Sequence, residues 1–136
     1  MYLLDTNVVS ELGRRDRTHP NVAAWADAVA PADLFLSAIS ILEIEAGVLM
    51  IERRDPAQGA VLRTWLDGKV LPTFAERILP VDTDVAQRCA RLHVPDPRAE
   101  RDALIAATAL VHRLTLVTRN VADFQPMGVA VLNPWD

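Results

Sequence analysis

Four carboxylates of this chain stand directly beside apolar runs, where acidic residues are usually avoided. Asp5 ends the run from Tyr2 to Leu4, and Glu43 lies inside the segment AISILEIEAGVLM. Asp102 opens the apolar segment RDALIAATAL, and Asp123 follows LTLVTRNVA. Because burying a lone carboxylate is costly, acids in such places usually have a partner. These four acids are therefore the first candidates for a functional site.

A group of acids of this kind indicates a particular chemistry. Several carboxylates cannot share a small volume unless a cation neutralises them. Hard divalent cations such as Mg²⁺ and Mn²⁺ prefer oxygen ligands. One or two such ions can deprotonate a water molecule and stabilise both the attacking and the leaving oxygen of a phosphodiester. The acids therefore predict metal-dependent hydrolysis at phosphorus, which needs no nucleophile from the protein.

The residues alone leave some of these assignments open. Glu43 shares a helix face mainly with small or flexible residues, which suits a crowded site, but the spacing does not exclude Glu45 on the same helix. Asp102 falls in the first turn of its helix, where the macrodipole favours an acid that has no function. An aspartyl-phosphate enzyme built on Asp5 is disfavoured, because such enzymes often carry a second Asp where this chain has Asn7.

Composition and motifs exclude several other classes of protein. A formal net charge of -4 and a pI of about 5.3 exclude a protein that holds nucleic acid by bulk charge alone. The chain has no GxGxxG, GxxxxGK[ST] or GxSxG motif and no zinc-like spacing of Cys and His. Its three histidines fall in loops or at a helix end, and its single cysteine, Cys89, is predicted to be a buried structural thiol.

Short apolar strands alternate with helices along the chain. The predicted strands are Tyr2–Leu4, Asp33–Leu36, Arg77–Val81, Leu114–Thr118 and Val129–Leu132. The predicted helices cover 7–12, 20–30, 38–52 with Ser37 as N-cap, 56–70, 83–92 and 99–113. This alternation is typical of a parallel sheet covered on both faces. Ligands of such sheets bind at the carboxyl ends of the strands, and Asp5 and Asp123 both follow strands at that edge.

The chain is predicted to be a single domain over residues 1–136, since no linker or repeat divides its 136 residues. It opens without a basic leader, and Glu43 and Glu45 interrupt its most apolar stretch. We therefore expect neither a secretory signal nor a membrane span, and a cytoplasmic location.

Several blocks, taken in this order and at this spacing, resemble the PIN-domain ribonucleases, in particular the VapC-type toxins of bacterial toxin–antitoxin pairs and their FitB-like relatives. The blocks are LLDTNVVSEL, LFLSAISILEIEAGV, RDALIAATAL, TLVTRNVADF and VLNPW. DTN alone is a weak signal, but together the blocks run from about Leu3 to Trp135. The resemblance implies a PIN-like three-layer α/β/α sandwich with a central, mainly parallel sheet of four to five strands.

The resemblance also implies roles for individual residues. By position, the metal site of the family falls on Asp5, Glu43, Asp102 and Asp123, which favours Glu43 over Glu45 because it ends an S-x-I-x-x-x-E pattern. Thr6 and Asn7 resemble residues that support the first Asp by hydrogen bonds. Thr118 and Asn120 resemble residues that steer Asp123. The implied cofactor is Mg²⁺, with Mn²⁺ as a substitute, and the implied reaction is the endonucleolytic hydrolysis of RNA.

The partners implied by the resemblance are an antitoxin of the VapB or FitA kind, an RNA substrate and a second copy of the chain. Operator DNA is expected to be reached only through the antitoxin, in a larger assembly, and no membrane is expected. Apolar residues of the Glu43 helix and of the helix with Val61, Trp65 and Leu66 suit such protein contacts, although each also suits a core.

A second function from a different class stays open. The chain could act mainly as a binding module, with little catalysis, in an antitoxin–DNA complex that regulates its own transcription. The arginines near the predicted carboxylate edge, Arg14, Arg15, Arg17 and Arg119, could guide RNA toward the acids or could be ordinary solvated charges.

Overall fold

The central sheet determines where the acids can meet. The computed structural model describes residues 1 to 136. Its five parallel strands lie in the order β3-β2-β1-β4-β5. They are β1 Tyr2–Leu4, β2 Leu34–Ser37, β3 Ile78–Leu79, β4 Thr115–Val117 and β5 Val131–Leu132. Strand order reverses between β1 and β4, so the crevice beyond the carboxyl ends of these two strands is the expected ligand site.

Eight α-helices connect and cover the strands. They are α1 Thr6–Leu12, α2 Pro20–Ala28, α3 Ala38–Arg54, α4 Pro56–Trp65, α5 Leu71–Thr73, α6 Thr83–Leu92, α7 Glu100–His112 and α8 Val121–Phe124. The Ser37 hydroxyl begins α3 by accepting a hydrogen bond from the Ile39 backbone N–H at 3.0 Å, as an N-cap does. A π-helical segment, Leu66–Val70, joins α4 to α5. No helix combines the length and the apolar character that crossing a membrane requires.

Each face of the sheet carries its own hydrophobic core, because successive strand side chains point to opposite sides. Leu4 and Val117 pack on one face with residues of α1 and α3. Leu3 and Leu116 pack on the other face with residues of α7 and α8. Both faces of β1 and β4 are therefore buried, and only their ends can present polar groups.

The structure confirms the predicted fold class, an α/β sandwich around a parallel sheet. It differs from the prediction in detail. The strand predicted over Arg77–Val81 is only Ile78–Leu79, since Pro80 has no N–H for a ladder. The helix predicted over 56–70 becomes π-helical after Trp65. The short helix α8, which carries Asp123, is absent from the prediction.

Candidate functional site

Asp5 is held at the carboxyl end of β1 by three hydrogen bonds. Its Oδ1 accepts from the Thr6 backbone N–H at 2.8 Å, so Asp5 also caps α1. Its Oδ2 accepts from the Thr118 hydroxyl at 2.8 Å and from the Asn7 amide at 3.3 Å. Only 5% of Asp5 is exposed. The carboxylate therefore has a fixed orientation in a nearly dry position.

Glu43 reaches the same place from the middle of α3. The Thr6 hydroxyl donates to Glu43 Oε1 at 2.7 Å and also lies 3.1 Å from the Ser40 hydroxyl oxygen. Ser40 lies one turn before Glu43 and is fully buried. Thr6 thus joins two acids of different elements, because its backbone N–H bonds Asp5 and its hydroxyl bonds Glu43.

The other two acids come from α7 and α8, the helices that precede and follow β4 in the chain. Asp102 lies in the first turn of α7 and is half-buried. Asp123 lies on α8 and is exposed, with its backbone N–H donating to the Asn120 carbonyl at 3.1 Å. Asp123 therefore follows β4, as predicted, and is carried by a short helix that the sequence did not predict.

Electrostatic repulsion links the four acids. Burial raises the pKa of Asp5, and the charges of Asp102 and Glu43 raise it further against the hydrogen bonds from Thr118 and Thr6. Burial also raises the pKa of Asp102, with added repulsion from Asp123 and Glu43. The four carboxylates are thus linked by mutual repulsion, which a cation bound among them would relieve.

The donor set fits a hard divalent cation. All four side chains offer carboxylate oxygens, and the ion pair nearest to them joins Glu43 Oε2 to Arg101 at 3.9 Å. No three of the four acids present oxygens that all lie within 4.8 Å of one another, so they form an open cluster. Mg²⁺ keeps several waters and takes only one or two carboxylates directly, which suits an open cluster better than a closed cage.

The four residues expected to support the acids all lie beside Asp5 or Asp123. Thr6 and Asn7 lie beside Asp5, as predicted. The Thr118 hydroxyl donates to Asp5 Oδ2 at 2.8 Å and accepts from the Asn120 backbone N–H at 3.0 Å, so its link to Asp123 runs through Asn120. Asn120 approaches Asp123 through its backbone carbonyl. Sequence reasoning missed Arg101, whose only local signal is that it precedes Asp102.

Glu45, the alternative to Glu43, faces away from this site. Both of its oxygens accept from the Arg63 guanidinium on α4, at 3.0 and 2.6 Å. Arg63 also pairs with Glu52 at 3.1 Å and Asp67 at 3.4 Å. Its hydrogen bonds with Arg63 hold the pKa of Glu45 below the ordinary value. The structure therefore assigns Glu45 to the α3–α4 contact and leaves Glu43 as the acid near Asp5.

A second group of possible metal ligands, Cys89, His93 and Glu100, lies between the end of α6 and the start of α7. Its His93 Nε2 is 3.6 Å from Cys89 Sγ and 3.4 Å from a Glu100 oxygen. The Arg98 backbone N–H donates to His93 Nδ1 at 3.0 Å, so the ring proton sits on Nε2, the atom that a metal would need bare. This group is a hydrogen-bonded cluster. Cys89 is buried, as predicted.

The α3 helix has apolar side chains both in the core and on the surface. Ile44 and Val48 enter the core, whereas Leu42, Leu49 and Met50 are 47%, 55% and 67% exposed. On α4, Val61 is exposed and Trp65 is half-buried, and Leu66, just beyond the end of α4, belongs to the core. Leu66 is therefore unavailable for the protein contacts suggested for it.

Comparisons with known proteins match nearly the whole chain. A family model described as the PIN domain matches residues 2–125. The toxin FitB of Neisseria gonorrhoeae is 40% identical over 141 residues, covering 99% of each chain. The VapC ribonuclease Y4jK of Sinorhizobium fredii is 35% identical, covering 100% of this chain and 99% of its own.

Two solved structures share this fold. The crystal structure of FitAcB from Neisseria gonorrhoeae superposes with a TM-score of 0.90 at 40% identity and covers 99% of each chain. A structure of FitAB bound to an IR36 DNA fragment also gives a TM-score of 0.90, at 38% identity, over 100% of this chain and 96% of its own.

Proposed function

We propose that this chain, which belongs to the PIN domain family, is the toxin of a type II toxin–antitoxin pair and acts as a metal-dependent endoribonuclease. The toxin role is supported by relatives named as a toxin and as a VapC ribonuclease that match nearly the whole chain. The observation that carries the chemistry is the convergence of Asp5, Glu43, Asp102 and Asp123 where strand order reverses.

The four acids are the residues that would hold Mg²⁺, or Mn²⁺ in its place. Such an ion supplies an activated water and neutralises the charge that develops on the phosphate during hydrolysis. The chain itself supplies orientation. Asp5 has both oxygens engaged by donors, and Glu43 is fixed by the Thr6 hydroxyl. Asp102 and Asp123 extend the group of acids to α7 and α8.

Burial makes this arrangement effective. Asp5 and Thr118 are almost completely buried, so their geometry is set before any substrate arrives. Arg101 is the one cation paired with an acid of the site, and its guanidinium can meet a phosphate that approaches the acids. The products of RNA hydrolysis would be two shorter strands, because water adds across one P–O bond.

The direct test is cleavage of total RNA by purified, antitoxin-free protein, with the new 5′ ends mapped by sequencing. We expect discrete ends with Mg²⁺ or Mn²⁺ and none with EDTA. Asp5→Asn should reduce the cleavage rate by about a thousandfold or more, since it removes one charge from the metal site without changing side-chain size. Glu45→Gln is the matched control, because Glu45 faces α4, and it should cleave normally.

A second candidate function is a binding module that acts through an antitoxin on DNA. The observation in its favour is the likeness to the FitAB structure with a DNA fragment. With a net charge of -4, this chain would reach DNA through its partner. Intact RNA in the cleavage assay, from folded protein that binds Mn²⁺, would favour this function over the nuclease.

We also propose the partners that go with the toxin role, an antitoxin of the VapB or FitA kind and a second copy of this chain. The exposed apolar side chains of α3, Leu42, Leu49 and Met50, offer a surface for such contacts. Residues 1–136 would act as one PIN domain in that assembly.

A further inference from the structure

A groove of about 780 Å³ lies between the end of α1 and the outer face of α4. Four cations and no carboxylate line it, although the chain as a whole carries a net charge of -4. We call it the basic groove, and its cations are Arg14, Arg15, Arg17 and Lys69. Trp65 lines one wall, where a Cβ on Gly13 would come within 2.6 Å of the indole ring.

Most of the charge in the basic groove is available for a ligand. Arg14 is already paired, since its guanidinium lies 3.3 Å from Glu11. Arg15, Arg17 and Lys69 are exposed and take part in none of the ion pairs of the chain. Three unpaired cations therefore face one concave surface, which favours a ligand with several negative charges.

The basic groove adjoins the acidic site on two sides. Ser10, Leu62 and Trp65 line both the groove and a neighbouring cavity of about 360 Å³ that contains Thr6 and Glu43. On the other side of α1, a cleft of about 470 Å³ shares Arg14 and Arg17 with the groove.

That cleft also contains Arg119 and Trp135, with the Arg119 guanidinium 5.1 Å from the centre of the indole ring. The Arg119 backbone N–H donates to Asn7 Oδ1 at 3.4 Å, and Asn7 bonds Asp5. Ser10 lines the groove and lies five positions after Asp5, so the groove begins about 8 Å from Asp5 along α1.

We propose that the basic groove binds the backbone phosphates of the RNA strand on one side of the cleavage site. The proposal rests on the proposed ribonuclease function. Four clustered acids repel RNA, so affinity for the strand has to come from cations outside the acidic cluster. Arg15, Arg17 and Lys69 are such cations, and the groove leads from them to Thr6 and Glu43.

The test uses three single variants and a control with a similar exposed cation. Arg15 has φ 58°, a left-handed conformation that Asn tolerates, so Arg15→Asn removes the charge without added strain. Arg17→Ala and Lys69→Ala complete the set. Arg91→Ala is the control, because Arg91 is exposed on α6 and lines a different cavity.

The measurement is steady-state cleavage of a fluorescent single-stranded RNA oligonucleotide at several salt concentrations. Each groove variant should raise KM several-fold and leave kcat within about twofold. Because each variant loses one phosphate contact, the slope of log KM against log salt concentration should fall by about 0.7. If the wild type cleaves and the groove variants behave like Arg91→Ala, the groove proposal is overturned while the ribonuclease function stands.

Two further outcomes are decisive. If the wild type cleaves no RNA, the ribonuclease function is overturned and the groove proposal falls with it. If the groove variants keep the wild-type KM but lose binding of fluorescent poly-L-glutamate, the groove belongs to an acidic protein partner and not to RNA.

Discussion

At the scale of single residues, Thr6 is the junction of the candidate site. Its hydroxyl bonds Glu43 at 2.7 Å, and its backbone N–H bonds Asp5 at 2.8 Å. Thr6 and Glu43 are 37 positions apart in the sequence. One hydroxyl therefore fixes the angle between the end of β1 and the side of α3 that carries the acid.

Thr6→Val tests this junction, because it keeps the shape of the side chain and removes the hydroxyl. We expect kcat for RNA cleavage to fall by about 10- to 100-fold, since the residues that orient metal ligands typically have effects of this size. Thr6→Ser restores the donor and should recover most of the rate. Equal loss in both variants would show that packing, and not the hydrogen bond, is what the site needs from Thr6.

At the scale of the elements, the contact between α3 and α4 positions the wall of the basic groove. Gly59 on α4 lies against α3, where an added Cβ would be 2.5 Å from the Glu52 Cα. Arg63 reinforces the same contact by bonding Glu45 and Glu52. The position of Lys69 and Trp65 relative to α1 therefore depends on a close helix–helix approach that only glycine allows.

Gly59→Ala tests this approach. The added methyl group meets backbone that cannot move freely, so we expect the free energy of unfolding to fall by about 1–3 kcal/mol. Gly47→Ala on α3 is the matched control, because nothing lies within 4 Å of its added Cβ. That variant should gain up to about 1 kcal/mol from helix propensity. Urea unfolding measures both, and equal stability of the two variants would contradict the close approach.

At the scale of the whole molecule, charge is divided between two neighbouring regions. The acids gather at the end of β1 and at the start of α7, and unpaired cations line the groove beyond α1. The acidic region lowers the stability of the metal-free protein at neutral pH, because Asp5 and Asp102 are charged there in spite of burial and repulsion, which raise their pKa values. Stability should therefore depend on both pH and divalent metal.

The sign of the pH effect follows from the raised pKa values. Asp102 has a higher pKa in the folded than in the unfolded protein. Its contribution to stability is therefore fully present below the unfolded pKa, near 3.8, and is lost as the pH rises through the folded pKa. In EDTA, Asp102→Asn should match the wild type at low pH and become the more stable protein as pH rises. Thermal unfolding across this range measures the difference.

Two further measurements, with added metal and with a variant of Glu45, serve as controls for this prediction. Mg²⁺ or Mn²⁺ binds only the folded wild type, so it should add about 2.7 kcal/mol at a hundred times its Kd and reverse the advantage of Asp102→Asn. Glu45 has a lowered pKa, so its contribution is present above 4.5 and is lost as pH falls, and Glu45→Gln should show the opposite trend. A difference that does not change with pH would contradict the raised pKa of Asp102.

The sequence by itself determined the features that depend on neighbours along the chain. The apolar run before Asp5 predicted a buried strand with a polar end, and the hydroxyl of Ser37 predicted the start of α3. Alternating strands and helices predicted the parallel sheet. These predictions succeed because burial and capping follow the periods of strand and helix, which can be read over a few residues. The family blocks then selected Glu43 over Glu45.

Only the tertiary structure decided which side chains meet. Thr118 bonds Asp5 across 113 positions, Glu45 turns to Arg63, and Arg101 approaches Glu43. The basic groove likewise joins the end of α1 to Lys69. Such contacts depend on strand order and on the approach of helices, and no local period encodes either of them. That is why the four acids could be proposed from the sequence, whereas the hydrogen bond from Thr118 to Asp5 and the groove beside the acids could not.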